Sequence, residues 1–223
     1  MGEFLIYGAN GYTGKLALQE ALRRGLRPIV AGRNREALAA LAAPHGLPVR
    51  AFDLADAGTV ASALNGVGLV LHCAGPFSAT CAPMLEGCLA VGAHYLDITG
   101  EVDVFAHCHA QDARAKAKGI VVLPGSGFDV VPTDCVAAML KRELSGATEL
   151  VLAFEATGGP SPGTAKTSVE GLGKGGRVAV VGDDDGHAVA ALDERPQRKV
   201  GPFEVHRPAD GPRAGVDHSR GAD

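Results

Sequence analysis

Short apolar runs alternate with helical stripes along the first 146 residues or so of this chain, and the alternation itself predicts the architecture. Phe4-Leu5-Ile6-Tyr7 is a continuous apolar run that stops at a glycine, and residues 15–24 then space their apolar side chains three and four apart. The first pattern is that of a short buried strand and the second that of one helix face. Gly25 is placed to end this helix, residues 27–33 predict a second strand, and Asn34 can cap the next helix. That helix, 35–43, is built from good helix formers with Leu38 and Leu41 on one side, and Pro44 with Gly46 ends it. Residues 49–52 predict a third strand. Asp53 and Asp56 mark a turn and the following cap, and Val60 and Leu64 face inward from a third helix.

The rhythm then repeats: strand at 67–73, helix at 82–91, strand at 95–98, helix at 105–118, strand at 120–123. Strands joined through helices run parallel, because a hairpin reverses the chain and a crossover does not. The predicted fold class is therefore α/β, a Rossmann doubly wound parallel sheet in the order 3-2-1-4-5-6, followed by a partial second α/β domain. We assign residues 1–146 to the first domain and 147–205 to the second. The second should hold a strand at 149–156, a short helix at 164–172, and a hairpin pairing 178–181 with 187–192 across the Asp183-Asp184-Asp185-Gly186 turn. That acidic turn is not a calcium loop, since the later positions supply no bidentate glutamate.

Between the first strand and the first helix lies Gly8-Ala9-Asn10-Gly11-Tyr12-Thr13-Gly14, with glycines spaced G-x-x-G-x-x-G. In this context each glycine has a physical role in binding a dinucleotide. Gly8 lets the chain turn sharply out of the strand, Gly11 lets backbone approach a diphosphate, and Gly14 lets helix and strand pack closely. The free N–H groups of the first helical turn would face the phosphates. The plainer reading of such a segment is a tight turn with no ligand.

Ligands of doubly wound sheets sit beyond the carboxyl ends of the strands, where the strand order reverses. This selects the glycine loop, the turn at Gly32 and Arg33, Asp53 and Leu54 after the third strand, and Ala74, Gly75 and Pro76 after the fourth. The second strand ends in Ala31-Gly32-Arg33-Asn34-Arg35, with no carboxylate to accept bonds from a ribose 2′-hydroxyl. Arg33 can instead clamp a 2′-phosphate with paired N–H groups, so NADP (NADPH) is the expected cofactor. Asp53 reads either as a neighbour of the adenine or as a helix cap.

Catalytic residues are not assigned. A tyrosine with a lysine four residues later is absent, since Tyr7, Tyr12 and Tyr95 are followed at that spacing by Gly11, Leu16 and Thr99. His72 lies in an apolar strand and reads as a core histidine, while His107 and His109 lie two apart and do not share a helical face.

Composition narrows the partners. The 223 residues are 46% hydrophobic and 21% charged with a formal net charge of −4, and no basic run offers itself to nucleic acid. No apolar stretch reaches the roughly 20 residues needed to cross a bilayer. The start of the chain reads directly into a strand without a leader-like segment, which gives a cytoplasmic expectation. Cys73, Cys81, Cys88, Cys108 and Cys135 are odd in number without C-x-x-C spacing, which suits reduced thiols, most of them in the core, and no metal site.

Five segments carry a family resemblance: Tyr7-Gly8-Ala9-Asn10-Gly11-Tyr12-Thr13-Gly14, Ala31-Gly32-Arg33, Ala74-Gly75-Pro76-Phe77, Tyr95-Leu96-Asp97-Ile98-Thr99-Gly100-Glu101, and Gly125-Ser126-Gly127-Phe128-Asp129-Val130-Val131-Pro132-Thr133-Asp134. In this order, over residues 4–175, the chain resembles the saccharopine dehydrogenase-like oxidoreductases, and looks closest to the branch that includes trans-acting enoyl reductases. The resemblance implies an NADP-binding Rossmann domain, a second domain carrying the substrate side and subunit contacts, and a small-molecule or lipid-type substrate. A homo-oligomer is compatible with it. Pro76 and Phe77 would lie near the nicotinamide, unless Phe77 only packs under the following helix. Asp129 either faces the ligand cleft or bonds its own loop. Residues 206–223, rich in Arg, Pro, Gly, Asp and His, depart from the family pattern. They read either as the end of a truncated or frame-shifted form or as a natural disordered tail.

Overall fold

The computed structural model describes residues 3–128, 130–146 and 169, together with the backbone of the short segments 178–180 and 191–193. Six parallel strands form one sheet: β1 Glu3–Tyr7, β2 Ile29–Gly32, β3 Val49–Ala51, β4 Val67–His72, β5 His94–Asp97 and β6 Val122–Leu123. Their order is β3-β2-β1-β4-β5-β6, as the strand-helix rhythm predicts. Central β1 pairs Ile6 with Val30 on one side and with Leu71 on the other. β7 Val178–Val180 and β8 Ala191–Asp193 pair antiparallel, the second strand lying nearer the C-terminus than the expected 187–192; the turn expected at 183–186 lies outside the described residues.

Successive side chains of a strand point to opposite faces, and β1 shows the consequence. Leu5 and Tyr7 join one core cluster while Ile6 joins the other. Helices α1 Tyr12–Arg23 and α2 Arg35–Ala42 cover the Ile6 face through Leu18 and Leu38. Helices α3 Ala57–Ala63, α4 Phe77–Val91, α5 Val102–His109 and α6 Asp112–Lys118 contribute Val60, Met84, Val104 and Ala115 to the other face. Leu5, Ile6, Val60, Leu64 and Leu85 are fully buried, each contributing about 1.5–3 kcal/mol relative to exposure. Helix α7 Val131–Glu143 has no buried residue.

The helix caps follow the chemistry of their residues. The side chains of Asn34 and Asp56 accept from the N–H groups of Ala37 and Thr59 at 3.0 and 2.7 Å, capping α2 and α3. Gly25 (φ +74°) follows α1, and Gly46 (φ +59°) follows a 3-10 turn, Ala43–His45, that extends α2. Two helices differ from the sequence expectation. α4 starts at Phe77 and not at 82, because Glu101, 24 residues away, caps its first turn. The single helix expected at 105–118 is two, α5 and α6, broken at Ala110 and Gln111 with neither glycine nor proline at the break.

All five cysteines are free; Cys81, Cys88 and Cys108 are buried, Cys73 is half-buried and Cys135 exposed. No helix among the described residues is long and apolar enough to cross a membrane. The expected strand at 149–156, helix at 164–172 and tail at 206–223 lie outside the described residues.

Candidate cofactor site

The turn after β1 is built so tightly that two of its glycines leave no room for a side chain. Gly8 has φ +81°, and a Cβ there would come within 2.9 Å of the Ala74 Cβ and 3.0 Å of the Cys73 carbonyl carbon. The ends of β1 and β4 therefore touch through a residue that only glycine fills. At Gly14 a Cβ would overlap the Gly8 carbonyl oxygen and approach the Ala9 Cα to 2.8 Å. Backbone bonds hold the turn in place: the Gly8 and Ala9 N–H groups donate to the Ala31 carbonyl at 2.8 and 3.1 Å, and the Gly11 N–H donates to the Gly8 carbonyl at 2.9 Å.

Ala9 and Gly14 are buried inside this turn, whereas Gly11 and Tyr12 are exposed and Asn10 and Thr13 half-buried. Gly11 caps α1 without a side-chain bond, and the first turn of α1 carries no acidic residue. An uncapped N-terminus with no carboxylate beside it favours an anion electrostatically. The other helix entries nearby differ: Asn34, Asp56 and Glu101 occupy those of α2, α3 and α4.

The remaining sequence-selected residues converge on the same edge of the sheet. Gly32 ends β2 and its carbonyl accepts from the Phe52 N–H at 3.0 Å; the exposed Arg33 follows. The Asn10 Oδ1 stands 3.4 Å from where a Cβ on Gly32 would be, so the glycine loop and the end of β2 are in contact. The Tyr7 hydroxyl donates to the Phe52 carbonyl at 3.1 Å. Burial and the Asp53 carboxylate push this phenol up to about 12, with Arg33 opposing, which sets both charges near the carboxyl end of β1. The Asp53 Oδ1 accepts from the Ala55 N–H at 2.8 Å, an Asx turn of its own, and the cap of α3 is Asp56. Leu54 packs, partly buried, against the core.

Ala74, Gly75 and Pro76 form the turn after β4, with a cis bond between Gly75 and Pro76. Two side chains fix it. Thr80 Oγ1 lies 2.7 Å from the Ala74 carbonyl and 3.0 Å from that of Pro76, and His72 Nε2 lies 3.0 Å from the same hydroxyl. Since Thr80 spends its one proton on a carbonyl, His72 donates to it from Nε2, and its Nδ1 is buried without a partner. Burial holds the His72 imidazole down at about 3, so at neutral pH it is uncharged, in accord with the core reading. Phe77 is also core: it is 8% exposed and meets the His72 ring edge-on at 5.3 Å.

Sequence reasoning did not assign roles to Glu101 or Asp97. The Glu101 carboxylate accepts from the Phe77 and Ser78 N–H groups, holding the α4 entry beside the turn. Asp97 Oδ1 accepts from Thr99 and Gly125 N–H groups at 3.0 and 2.8 Å, Oδ2 accepts from the Tyr95 hydroxyl at 2.7 Å, and the Asp97 carbonyl accepts from Ser126. The 125–127 loop is thereby fastened to the end of β5. Asp129, within the same loop, lies outside the described residues. His94 Nδ1 accepts from the Val121 N–H, so that ring supports the edge of the sheet.

A family model, the saccharopine dehydrogenase NADP binding domain, matches residues 4–123. The chain belongs to this family. Its fold and its cofactor, NADP, are those the sequence predicts, and the close-packed glycine turn, the open α1 entry and Arg33 are residues suited to hold that cofactor. A saccharopine dehydrogenase-like oxidoreductase of Rattus norvegicus is 25% identical over 204 residues, covering 79% of this chain and 47% of the relative. The trans-acting enoyl reductase of Mycobacterium leprae (strain TN) is 29% identical over 150 residues, covering 64% of this chain and 36% of the relative. Apo saccharopine dehydrogenase (L-Glu forming) from Saccharomyces cerevisiae superposes with a TM-score of 0.57 at 16% identity, over 65% of this chain and 32% of that one, a likeness of fold. The chain thus spans about half the length, or less, of the relatives it matches.

Proposed function

We propose that this member of the NADP-binding oxidoreductase family reduces a carbon–carbon double bond in a lipid precursor. The observation that carries the reading is the 29% identity with the trans-acting enoyl reductase, added to a glycine turn packed too closely for a Cβ at Gly8 or Gly14 and followed by an uncapped α1. Bound NADPH supplies the hydride. The chain's own part is to seat the diphosphate on the α1 N-terminus, to hold the 2′-phosphate with Arg33, and to keep the Ala74-Gly75-Pro76 turn rigid through Thr80, His72 and Glu101. Asp53 would border the adenine side. Residues 1–146 would form the cofactor domain and 147–205 part of a substrate domain, in a cytoplasmic protein for which a homo-oligomer is compatible.

A second reading is a cofactor-binding module without turnover. It is favoured by the commitment of the titratable side chains around the turn to structural bonds: His72 to Thr80 and Glu101 to the α4 entry. Titration of the purified chain with NADPH and NADH, followed by NADPH consumption in the presence of a medium-chain enoyl thioester, separates the readings. Tight NADPH binding with consumption supports the reductase; tight binding without consumption on enoyl or imine substrates leaves the module. Failure of a folded sample to bind either nucleotide overturns both.

A further inference from the structure

Beneath the turn after β4, two helices bring their sulfur atoms together. Cys81 on α4 and Cys108 on α5 lie with Sγ atoms 3.6 Å apart, 27 residues apart in sequence. Both are in the core, 2% and 3% exposed, yet Cys108 also lines a cavity of about 690 Å³ bounded by Val102, Phe105, Ile120, Pro124 and Val130. None of the glycine-turn residues lines this cavity, so it reaches Cys108 separately from the cofactor site.

We propose that Cys81 and Cys108 are an oxidisable pair that closes to a disulfide across α4 and α5 when a peroxide enters this cavity. The inference rests on the sulfur geometry and the cavity, not on the proposed function. A disulfide needs the sulfurs at about 2.05 Å, a closing movement of about 1.6 Å from the observed contact. Cys108 meets the peroxide first. Its sulfur attacks one oxygen, the S–O bond forms as the O–O bond breaks, and the hydroxide released takes the thiol proton to become water. Cys81 then attacks the Cys108 sulfenic acid, the S–S bond forms as the S–O bond breaks, and its proton leaves with the hydroxyl as a second water. Two thiols lose two electrons to one peroxide.

The surroundings assign the order. Cys108 lines the cavity and Cys81 does not, so Cys108 is the first sulfur a peroxide reaches and Cys81 is left to make the second attack. The contact with Cys81, then burial, pushes the Cys108 thiol up, so the first attack is slow and quickens with pH. The disulfide carries no charge, which suits a pocket that already contains the Asp97 carboxylate. Cys81, Asp97 and Cys108 also form the one three-residue group among the described residues with metal-ligand spacing, so a bound cation is the competing outcome. Against it, both Asp97 oxygens already accept hydrogen bonds.

The test uses the full chain, reduced, freed of reductant and exposed to graded hydrogen peroxide, then acid-quenched, unfolded and alkylated before peptide mapping. We expect a linked peptide containing Cys81 and Cys108, two fewer alkylated thiols, a faster reaction at pH 9 than at pH 7, and restoration by dithiothreitol. The mapping is done on the unaltered pair, so it does not depend on a variant folding; Cys135→Ser serves as background to remove cross-links between molecules. Recovery of both cysteines as thiols or as single sulfinic acids overturns the proposal. So does stoichiometric zinc in the metal-exchanged protein that shields both from peroxide.

Discussion

Glu101 and Phe77 lie 24 residues apart, and the carboxylate of the first accepts the backbone N–H of the second at 2.9 Å while its other oxygen takes that of Ser78 at 2.7 Å. A residue at the entry of α5 thus completes the entry of α4. It fills with internal negative charge the kind of helix entry that α1 leaves without a side-chain cap.

Removing that carboxylate exposes two N–H donors in a half-buried place. Glu101→Ala should cost about 1–2 kcal/mol and Glu101→Gln less, since an amide oxygen still accepts from one donor. Urea unfolding of the three proteins measures this. Equal stability of all three would show that water replaces the cap without loss.

The same pair explains what could be read from the sequence and what could not. The strand order, the glycine turn and the caps at Asn34 and Asp56 were legible because each depends on neighbours within a few residues: an apolar run, a glycine, an oxygen before a helix. The start of α4 depends on Glu101, and Pro83 inside α4 argues locally for a later start. The fastening of the 125–127 loop depends on Asp97, 28 residues upstream of Gly125. Phe77 and Leu54 lie at positions that topology assigns to the ligand edge, but their side chains pack against the core, and local pattern does not distinguish the two.

Gly14 and Gly11 should separate folding from binding. A Cβ at Gly14 overlaps the Gly8 carbonyl, so Gly14→Ala should destabilise the domain by about 2–3 kcal/mol. At Gly11 the added Cβ stands 3.2 Å from the Gly8 carbonyl oxygen, a small adjustment costing about 1 kcal/mol or less. Gly11→Ala should nevertheless weaken NADPH binding about tenfold or more, because its methyl group occupies the diphosphate approach. Thermal melts and titrations on both variants decide it; a Gly11→Ala protein with unaltered affinity would place the diphosphate elsewhere.

Arg33 bears on the choice between the two dinucleotides. Loss of a charge-assisted pair with a 2′-phosphate is worth about 1.5–3 kcal/mol, so Arg33→Ala should weaken NADPH binding about 10- to 100-fold and leave NADH almost unaffected. The difference should shrink as salt is raised. If NADH and NADPH weaken equally, Arg33 supports the loop and does not read the phosphate.

His72 makes stability depend on pH in a definite direction. Its imidazole ionises near 6.5 when unfolded but only at about 3 in the folded protein, because burial opposes its charge. The unfolded chain therefore binds the proton first. The contribution of neutral His72 is intact above pH 6.5 and is lost as the pH falls towards 3, at up to about 1.4 kcal/mol per pH unit. Between pH 6.5 and about 5.5 the ordinary carboxylates are still almost fully ionised, so His72→Leu should flatten the stability profile in that window. Denaturant midpoints at pH 7, 6 and about 5.5 test this, and an unchanged slope in the variant would assign the dependence to another group.

Asp97 and Tyr95 should show coupled losses. Asp97→Ala removes the acceptor of three buried donors, from Thr99, Gly125 and Tyr95, and should cost about 3–4 kcal/mol. Tyr95→Phe alone removes one bond from a carboxylate that keeps two others, at about 1 kcal/mol. In the double variant the tyrosine hydroxyl is no longer stranded in the core, so its cost should fall below the sum of the two by about 1 kcal/mol. Since the Gly125 bond is the tie between β5 and the following loop, protease cleavage within 124–130 should increase in Asp97→Ala and not in Tyr95→Phe. Strict additivity of the unfolding energies, or equal cleavage in both single variants, would mean that the hydroxyl and the loop are held independently of this carboxylate.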